Sequence, residues 1–283
     1  MKVTKDRIIE VISHYGIQRG DVVALQSSLS SMGEVEGGAD TVVNAFTEVL
    51  GDRGTLIVPT FTYSFKVWND FQPFNLLVTP SQCGAISEAV RLRPEAIRSN
   101  HPSHSVAAIG FFAREMVKDH IKCAPLGKGS PYHKLSQIGG FIVLLGVGQD
   151  RNPLIHTCES LAQVPYLCVS WSNTKTGIDI ARSSDDNGTL SEVEVREVPG
   201  CSKGFVKAEI VLRERGVIQY TKMGNANIQV MKAENVVDII LEKLASDPFF
   251  LLCDDKECQI CTRRRKYGKA KPGAVPVKGS SSH

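Results

Sequence analysis

His156 and Glu159 stand three residues apart in the stretch GVGQDRNPLIHTCESLAQ, residues 146–163. Asn152 is a favoured helix N-cap and Pro153 a favoured first helical residue, so a helix is expected to open there. That spacing puts both side chains on one helical face, with His156 in the first turn or just beyond it. The run FIVLLGVG just before reads as a buried strand. In open α/β sheets, ligands bind at the carboxyl ends of strands, which is where this helix begins. The positive end of a helix disfavours an imidazolium, and a neutral histidine is what a general base requires. Glu159 would orient the ring and stabilise the charge formed when it takes a proton. The competing reading is a structural histidine beside a surface glutamate.

Other residues compete for chemical roles. The GVG at 146–148 lacks the third glycine of a dinucleotide fingerprint, which excludes that reading. Cys158 lies two residues from His156, nearly opposite on the helix, so a buried structural thiol is expected over a nucleophile. His156 and Glu159 alone are too few ligands for a catalytic zinc. QSSLSSMG at 26–33 follows a strand. There hydroxyls and backbone N–H groups hold phosphate or pantetheine, or simply make a serine-rich turn. RSNHPSHSVAAIG at 98–110 sets His101, His104 and Ser105 before another strand, or makes a polar turn. LLCDDKECQICTRRR contains Cys253-x4-Cys258-x2-Cys261. Three thiols at such spacing are a structural zinc signal that wants a fourth ligand, and Cys201 in the polar turn VPGCSKG is the best candidate. The alternative is three ordinary thiols on a mobile tail.

These residues need a scaffold. DVVALQ, TLIVP, SVAAIG and FIVLLGVG read as buried strands, separated by helical patterns near 4–15, 38–50, 81–93, 111–120 and 153–162. Ser81 is the expected N-cap of SQCGAISEAVRLR. TFTYSFKVWNDFQPFNLLVTP is long, aromatic and irregular, and such loops are usually functional or lids. Residues 168–200 hold polar turns and an alternating strand, SEVEVREV; VIQYTKMGNANIQVM suggests a hairpin turning at Gly224-Asn225. AENVVDIILEKLA reads as a closing helix. Strands alternating with helices argue an α/β fold with a mainly parallel central sheet flanked by helices and a mixed C-terminal segment.

The chain has 283 residues, 42% hydrophobic and 22% charged, the composition of a soluble globular protein. No apolar run approaches the roughly 18–20 residues of a membrane helix, and MKVTKDRIIE lacks the apolar core of a signal peptide. Eight cysteines without a regular framework suggest reduced thiols or a metal, hence a cytoplasmic protein. The net charge is +3, but seven basic residues and no acid follow Cys261; removing those seven leaves −4 for residues 1–261. A mildly acidic body speaks against a nucleic-acid partner. The expected organisation is a domain over 1–250, a Cys-rich segment over 251–262, and a basic disordered tail over 263–283.

Several stretches taken together resemble the aminoglycoside 3-N-acetyltransferase family, also called antibiotic N-acetyltransferases. They are GDVVALQSSLSSMG at 20–33, GGADTVVNAFTEVLGDRGTLIVPTFTYS at 37–64, and RSNHPSHSVAAIG at 98–110. PLGKGSPYHKLSQIGGFIVLLGVGQDRNPLIHTCES at 125–160 and MGNANIQVMKAENVVD at 223–238 complete the set. The resemblance spans roughly residues 4–245. It implies an α/β fold particular to the family and transfer of acetyl from acetyl-CoA to an amine, directly in a ternary complex. It puts the family's H-x-x-E on His156 and Glu159 and its coenzyme-contacting SSLS on Ser27, Ser28, Leu29 and Ser30. Ser105 is a further candidate on the coenzyme side.

Two positions depart from the family pattern. Gln26 replaces the histidine usual before SSLS, and Asp150-Arg151-Asn152-Pro153 replaces D-S-N-T, bringing a cation near a polycationic antibiotic. The acceptor implied is the 3-amino group of a 2-deoxystreptamine aminoglycoside, as in antibiotic resistance, or else another amine such as an amino sugar or biosynthetic intermediate. An acetyl-Cys158 intermediate is the competing scheme. A non-catalytic CoA-binding or zinc-stabilised interaction protein is the reading from another class. The partners expected are the small amine and acetyl-CoA, with no membrane and a monomer or homodimer.

Overall fold

The computed structural model describes residues 2–68, 70–171 and 176–270. The strands of its main sheet are β1 (Val22–Ser27), β2 (Thr55–Pro59), β3 (Ile97–Arg98), β4 (Val106–Gly110) and β5 (Phe141–Leu145). A separate hairpin is formed by β6 (Ile178–Ser184) and β7 (Leu190–Arg196), and β8 (Gln219–Met223) and β9 (Ala226–Lys232) complete the main sheet. Its order is β3-β4-β2-β1-β5-β9-β8. The expected parallel character is concentrated at the centre, where β1 runs parallel to both β2 and β5. The flanks are antiparallel, because β4 returns beside β2 and β9 beside β5. The β8–β9 hairpin turns at Gly224-Asn225 as expected; Gly224 has φ +58° and a Cβ there would strike the Met32 carbonyl, so only glycine fits.

Alternation along the strands builds two cores. Val22, Ala24, Ile142 and Leu144 face one side; Val23, Leu25, Val143 and Leu145 face the other. The second face packs against α1 (Lys5–His14), α2 (Gly38–Leu50) and α3 (Ala85–Arg91). The first is covered by α4 (Ala113–Val117), α5 (Pro131–Gln137), α6 (Pro153–Leu161), α7 (Val206–Glu214) and α8 (Ala233–Ser246). Burying both faces explains why β1, β2 and β5 read as continuous apolar runs. The carboxyl ends of these three strands reach one edge of the sheet, and the segments that continue from them build the site.

α3 begins at Ala85, not after Ser81. Gly84, at φ +92°, is its N-cap, and the Ser81 hydroxyl instead accepts from the Cys83 N–H at 3.1 Å. The aromatic segment after β2 is fastened rather than free. Lys66 N–H donates to Ile180 and Phe74 N–H to Arg182, joining it to β6. Phe65, Ala181, Val195 and Val198 form a small core between the segment and the hairpin.

The C-terminal part differs most from expectation. Leu251, Leu252, Cys253, Ile260 and Cys261 belong to the same core as α6 and α8, so the Cys-rich segment is no separate appendage. The stretch expected to be a disordered tail from residue 263 instead continues a helix, α9 (Gln259–Ala270). Burial of Ile260, Cys261 and Arg264 holds that helix to the body, and Arg264 is only 2% exposed. Residues 271–283 of the expected tail lie outside the described residues.

Candidate active site

β5 ends at Leu145, and the chain turns through Gly146 and a short 3-10 turn, Gln149–Arg151, into α6. Asn152 caps that helix, its Oδ1 accepting from Leu154 N–H at 3.1 Å. The cap is itself held, since Asn152 Nδ2 donates to Gln149 at 2.9 Å and Gln149 donates to Gln229 on β9 at 2.7 Å. The start of α6, and with it His156, is thereby locked to the sheet.

His156 Nδ1 lies 2.6 Å from Glu159 Oε2, and the Tyr166 hydroxyl donates to Glu159 Oε1 at 2.8 Å. Glu159 and Tyr166 are buried. Burial pushes the Glu159 carboxyl up, but the charge and hydrogen bond of His156, with Arg264 and the Tyr166 hydroxyl, outweigh it and hold the pKa below the ordinary value. An ionised carboxylate only accepts, so in the neutral ring the His156 proton belongs on Nδ1 and the lone pair on Nε2. The Phe205 ring packs 4.6 Å from the imidazole, centroid to centroid, and fixes its plane further.

His156 lines a cavity of about 490 Å³. Its wall is aromatic, with Phe61, Tyr63, Trp68 and Trp171, and Asp150 and Arg151 stand at its rim with Nε and Oδ2 3.5 Å apart. The long aromatic segment thus supplies much of the lining, as its composition suggested. A second cleft of about 570 Å³ is lined by Ser27, Ser28, Leu29, Ser30 and the starts of α2 and α3. The two clefts share Ser27 and Ser28. The Ser27 hydroxyl is buried and has no hydrogen-bond partner among the described residues.

Other sequence candidates fall into place or away from it. His104 lines the cavity against Phe61; burial, then the neighbouring His156 and His120, push its pKa down to about 3, so it stays neutral. His101 is buried behind it, its Nδ1 accepting from the His104 N–H at 3.2 Å. Ser105 does not reach either cleft. Its hydroxyl donates to the Thr60 carbonyl at 2.6 Å and meets Arg98 at 3.1 Å, which ties β4 to the end of β2 and removes it from the coenzyme-side candidates. Gln26, in the place of the usual histidine, donates to the Tyr132 hydroxyl at 2.9 Å.

The thiols near the base are poor nucleophiles. Cys158 is fully buried, with its thiol on the Leu154 carbonyl at 3.2 Å and its pKa raised by burial. Cys83 lines the cavity, and burial pushes it up to about 11. A covalent acetyl-cysteine has no activated sulfur here.

The four cysteines singled out by spacing do converge. The sulfurs of Cys201, Cys253, Cys258 and Cys261 all lie within 4.8 Å of one another, with Cys201 and Cys253 at 3.7 Å. Two partners of the site were not visible in the sequence. Tyr166 lies seven residues past Glu159, and no motif marks it. Arg264 looked like part of a solvated basic run.

The sequence matches the family described as aminoglycoside 3-N-acetyltransferase over residues 25–245. The chain belongs to this family. It is 31% identical over 273 residues to aminoglycoside N(3)-acetyltransferase VIII of Streptomyces fradiae, covering 86% of this chain and 92% of that one. The crystal structure of aminoglycoside acetyltransferase AAC(3)-IVa superposes with a TM-score of 0.83 at 26% identity, covering 94% of this chain and 98% of that one. A variant of that enzyme in complex with apramycin gives 0.77 at 25% identity, over 92% and 98% of the two chains. As a member of the family, the chain is an acyltransferase with acetyl-CoA as donor.

Proposed function

We propose that this protein transfers acetyl from acetyl-CoA to a primary amine in a ternary complex, with His156 as general base. The observation that carries this is the Tyr166–Glu159–His156 chain, which fixes the imidazole with Nε2 free for the cavity. The coenzyme is assigned to the cleft of Ser27, Ser28, Leu29 and Ser30, where the first turn of α2 suits its phosphates. The amine is assigned to the aromatic cavity.

An amine near pH 7 is mostly protonated and no nucleophile. Once it has lost its first proton to solvent, its nitrogen attacks the thioester carbonyl and gives a second proton to His156 Nε2. Glu159 balances the imidazolium that forms. The carbonyl oxygen becomes an oxyanion, and we assign the Ser27 hydroxyl, buried where the two clefts meet and unpartnered among the described residues, as the donor that turns to it, worth about 3–4 kcal/mol. The C–S bond then breaks, and coenzyme A leaves as a thiolate that takes the proton from His156. A thiol is acidic enough, with a pKa of roughly 8.5, that no stronger acid is needed.

The names of the relatives support the 3-amino group of a 2-deoxystreptamine aminoglycoside as acceptor. A second reading, another amine such as an amino sugar or biosynthetic intermediate, is favoured by the rim, where Arg151 offsets Asp150 and leaves no net negative charge for a polycation. The test is thiol release from acetyl-CoA against a panel of aminoglycosides and simple amino sugars, with His156→Ala in parallel. Turnover only on the simple amines moves the acceptor to the second reading; a fully active His156→Ala enzyme refutes the base.

We also read Cys201, Cys253, Cys258 and Cys261 as a structural zinc site. Tetrahedral zinc with Zn–S distances of about 2.3 Å sets its sulfurs roughly 3.8 Å apart, close to the spacing found.

A further inference from the structure

Arg264 is buried within reach of the candidate catalytic pair. Its guanidinium lies over the Tyr166 ring, 5.4 Å from the centroid, and Nη2 donates to the Val198 carbonyl at 2.9 Å. A very small void separates it from His156 and Glu159, all three lining the same space. A buried cation is costly unless an anion answers it, and Glu159 is an anion buried beside it. Arg264 itself lines neither cleft that would hold a substrate, though Val198 and Gly200, which it touches, belong to the wall of the aromatic cavity. Any part it plays in turnover is therefore indirect, through Tyr166 and Glu159 or through that stretch of wall.

The placement of Arg264 is governed by the cysteines. Cys261 precedes it by three residues on α9 and so shares its helical face. Cys201 follows Gly200, where a Cβ would run into the guanidinium. Each side of the Arg264 slot is therefore one turn or one residue from a thiol of the cluster. The same cysteine turn leads into Phe205, the ring packed on His156, and Lys203 N–H rests on Cys201 Sγ at 3.4 Å. Trp171 joins the same region: its indole donates to the Pro199 carbonyl at 2.8 Å, and Arg263 donates to the Trp171 carbonyl at 3.3 Å.

We propose that a zinc ion bound by Cys201, Cys253, Cys258 and Cys261 is the clamp that holds α9 and the 198–205 turn together, and that it serves the reaction by seating Arg264 behind Glu159 and Tyr166. Arg264 is a positioning residue. The inference rests on the acetyltransfer and zinc readings above. On binding, each thiol gives its proton to solvent and its sulfur to the metal, so no oxidant or reductant is involved.

The experiment uses the full chain as isolated. Bound zinc is counted, then released with a mercurial reagent followed by chelator and thiol, and restored. The zinc-free protein should lose about tenfold in kcat with its KM for acetyl-CoA within about twofold, since the cleft proposed for the coenzyme shares no residue with the clamp. Its tryptophan emission should shift to longer wavelength as Trp171 loosens, and both changes should reverse with zinc. Zinc-loaded Arg264→Met should show the same kcat loss with normal zinc content, and Arg264→Lys should recover part of it. Removing zinc from Arg264→Met should cost no more than about twofold further, because both changes act on one contact.

A chain isolated with all eight thiols free, the four of the cluster included, that takes up no zinc would overturn the proposal. So would full kcat without metal, or losses from the two changes that multiply. If no amine is turned over at all, the acetyltransfer reading fails on its own; zinc content and tryptophan emission still test the clamp.

Discussion

Tyr166 donates its hydroxyl to Glu159 at 2.8 Å, on the oxygen that His156 leaves free. A carboxylate buried at this depth needs both oxygens answered, and the tyrosine answers the second from the loop that follows α6. Tyr166→Phe leaves the ring packing and removes only that bond. The expected loss is about 1.5–3 kcal/mol of stability, the range for a hydrogen bond to a charged group, and about tenfold in kcat. Urea unfolding and steady-state thiol release read the two effects; a variant equal to the parent in both would show the bond to be idle.

Glu159→Gln keeps the shape and removes the charge. kcat should fall on the order of 10²-fold or more, because the imidazolium loses its counter-charge and the ring loses its tautomer preference. Since the folded-state pKa of Glu159 is depressed, its ionised form contributes stability above its unfolded value of about 4.3, and that contribution is lost as pH falls through the folded value. The parent should therefore lose more stability than Glu159→Gln on acidification below about pH 4.3. Matching acid-unfolding curves would contradict this.

Ser27→Ala separates binding from chemistry. A donor aimed at the oxyanion contributes only in the transition state, so kcat should drop by about 10²–10³ with little change in either KM. The hydroxyl has no partner among the described residues to lose, so thermal stability should be unchanged or slightly higher. A variant that retains full kcat would leave the oxyanion to backbone N–H groups.

The buried histidines beneath the cavity predict a second pH effect, at higher pH than the first. His120 is held neutral, with Nε2 donating to the Pro125 carbonyl at 2.8 Å and Nδ1 accepting from Ser99 at 2.9 Å. Burial depresses its pKa to about 4. The unfolded chain takes up this proton near pH 6.5 and the folded chain refuses it until about pH 4. Stability should be complete above about pH 6.5 and fall by roughly 3 kcal/mol from this group as the pH drops through that window. His104 and His101 act in the same direction. Urea midpoints at pH 7, 6 and 5 should fall progressively in the parent and less steeply in His120→Gln; equal slopes would rule out the group.

The legible parts of this molecule were those encoded by neighbours in sequence. The Asn152 cap, the His156–Glu159 face and the hairpin at Gly224 follow from spacings of two to four residues. The strands declared themselves because both faces of the sheet are covered. Even the four-cysteine cluster was within reach, since three of its members lie in nine residues. The antiparallel flanks were not legible, because sheet order depends on where long connections return. Ser105 misled for a related reason: its hydroxyl is taken by Thr60 and Arg98, partners that only the sheet brings near. Arg264 was hidden by composition. In a run of arginines and lysines, only the packing of Ile260 and Cys261 reveals that one of them points inward.

The two clefts that meet at Ser27 are made of different material. The side proposed for the coenzyme is built from the end of β1 and the first turns of α2 and α3, which depend on the register of the whole sheet. The side proposed for the amine is built largely from the segment after β2, the turn at 146–152, Trp171 and residues 198–205, which hang from that sheet without setting its pairing. Mutations that reshape the amine pocket can thus accumulate without disturbing the donor. A lineage facing a changing supply of amines inherits a fixed acetyl source and an editable recipient.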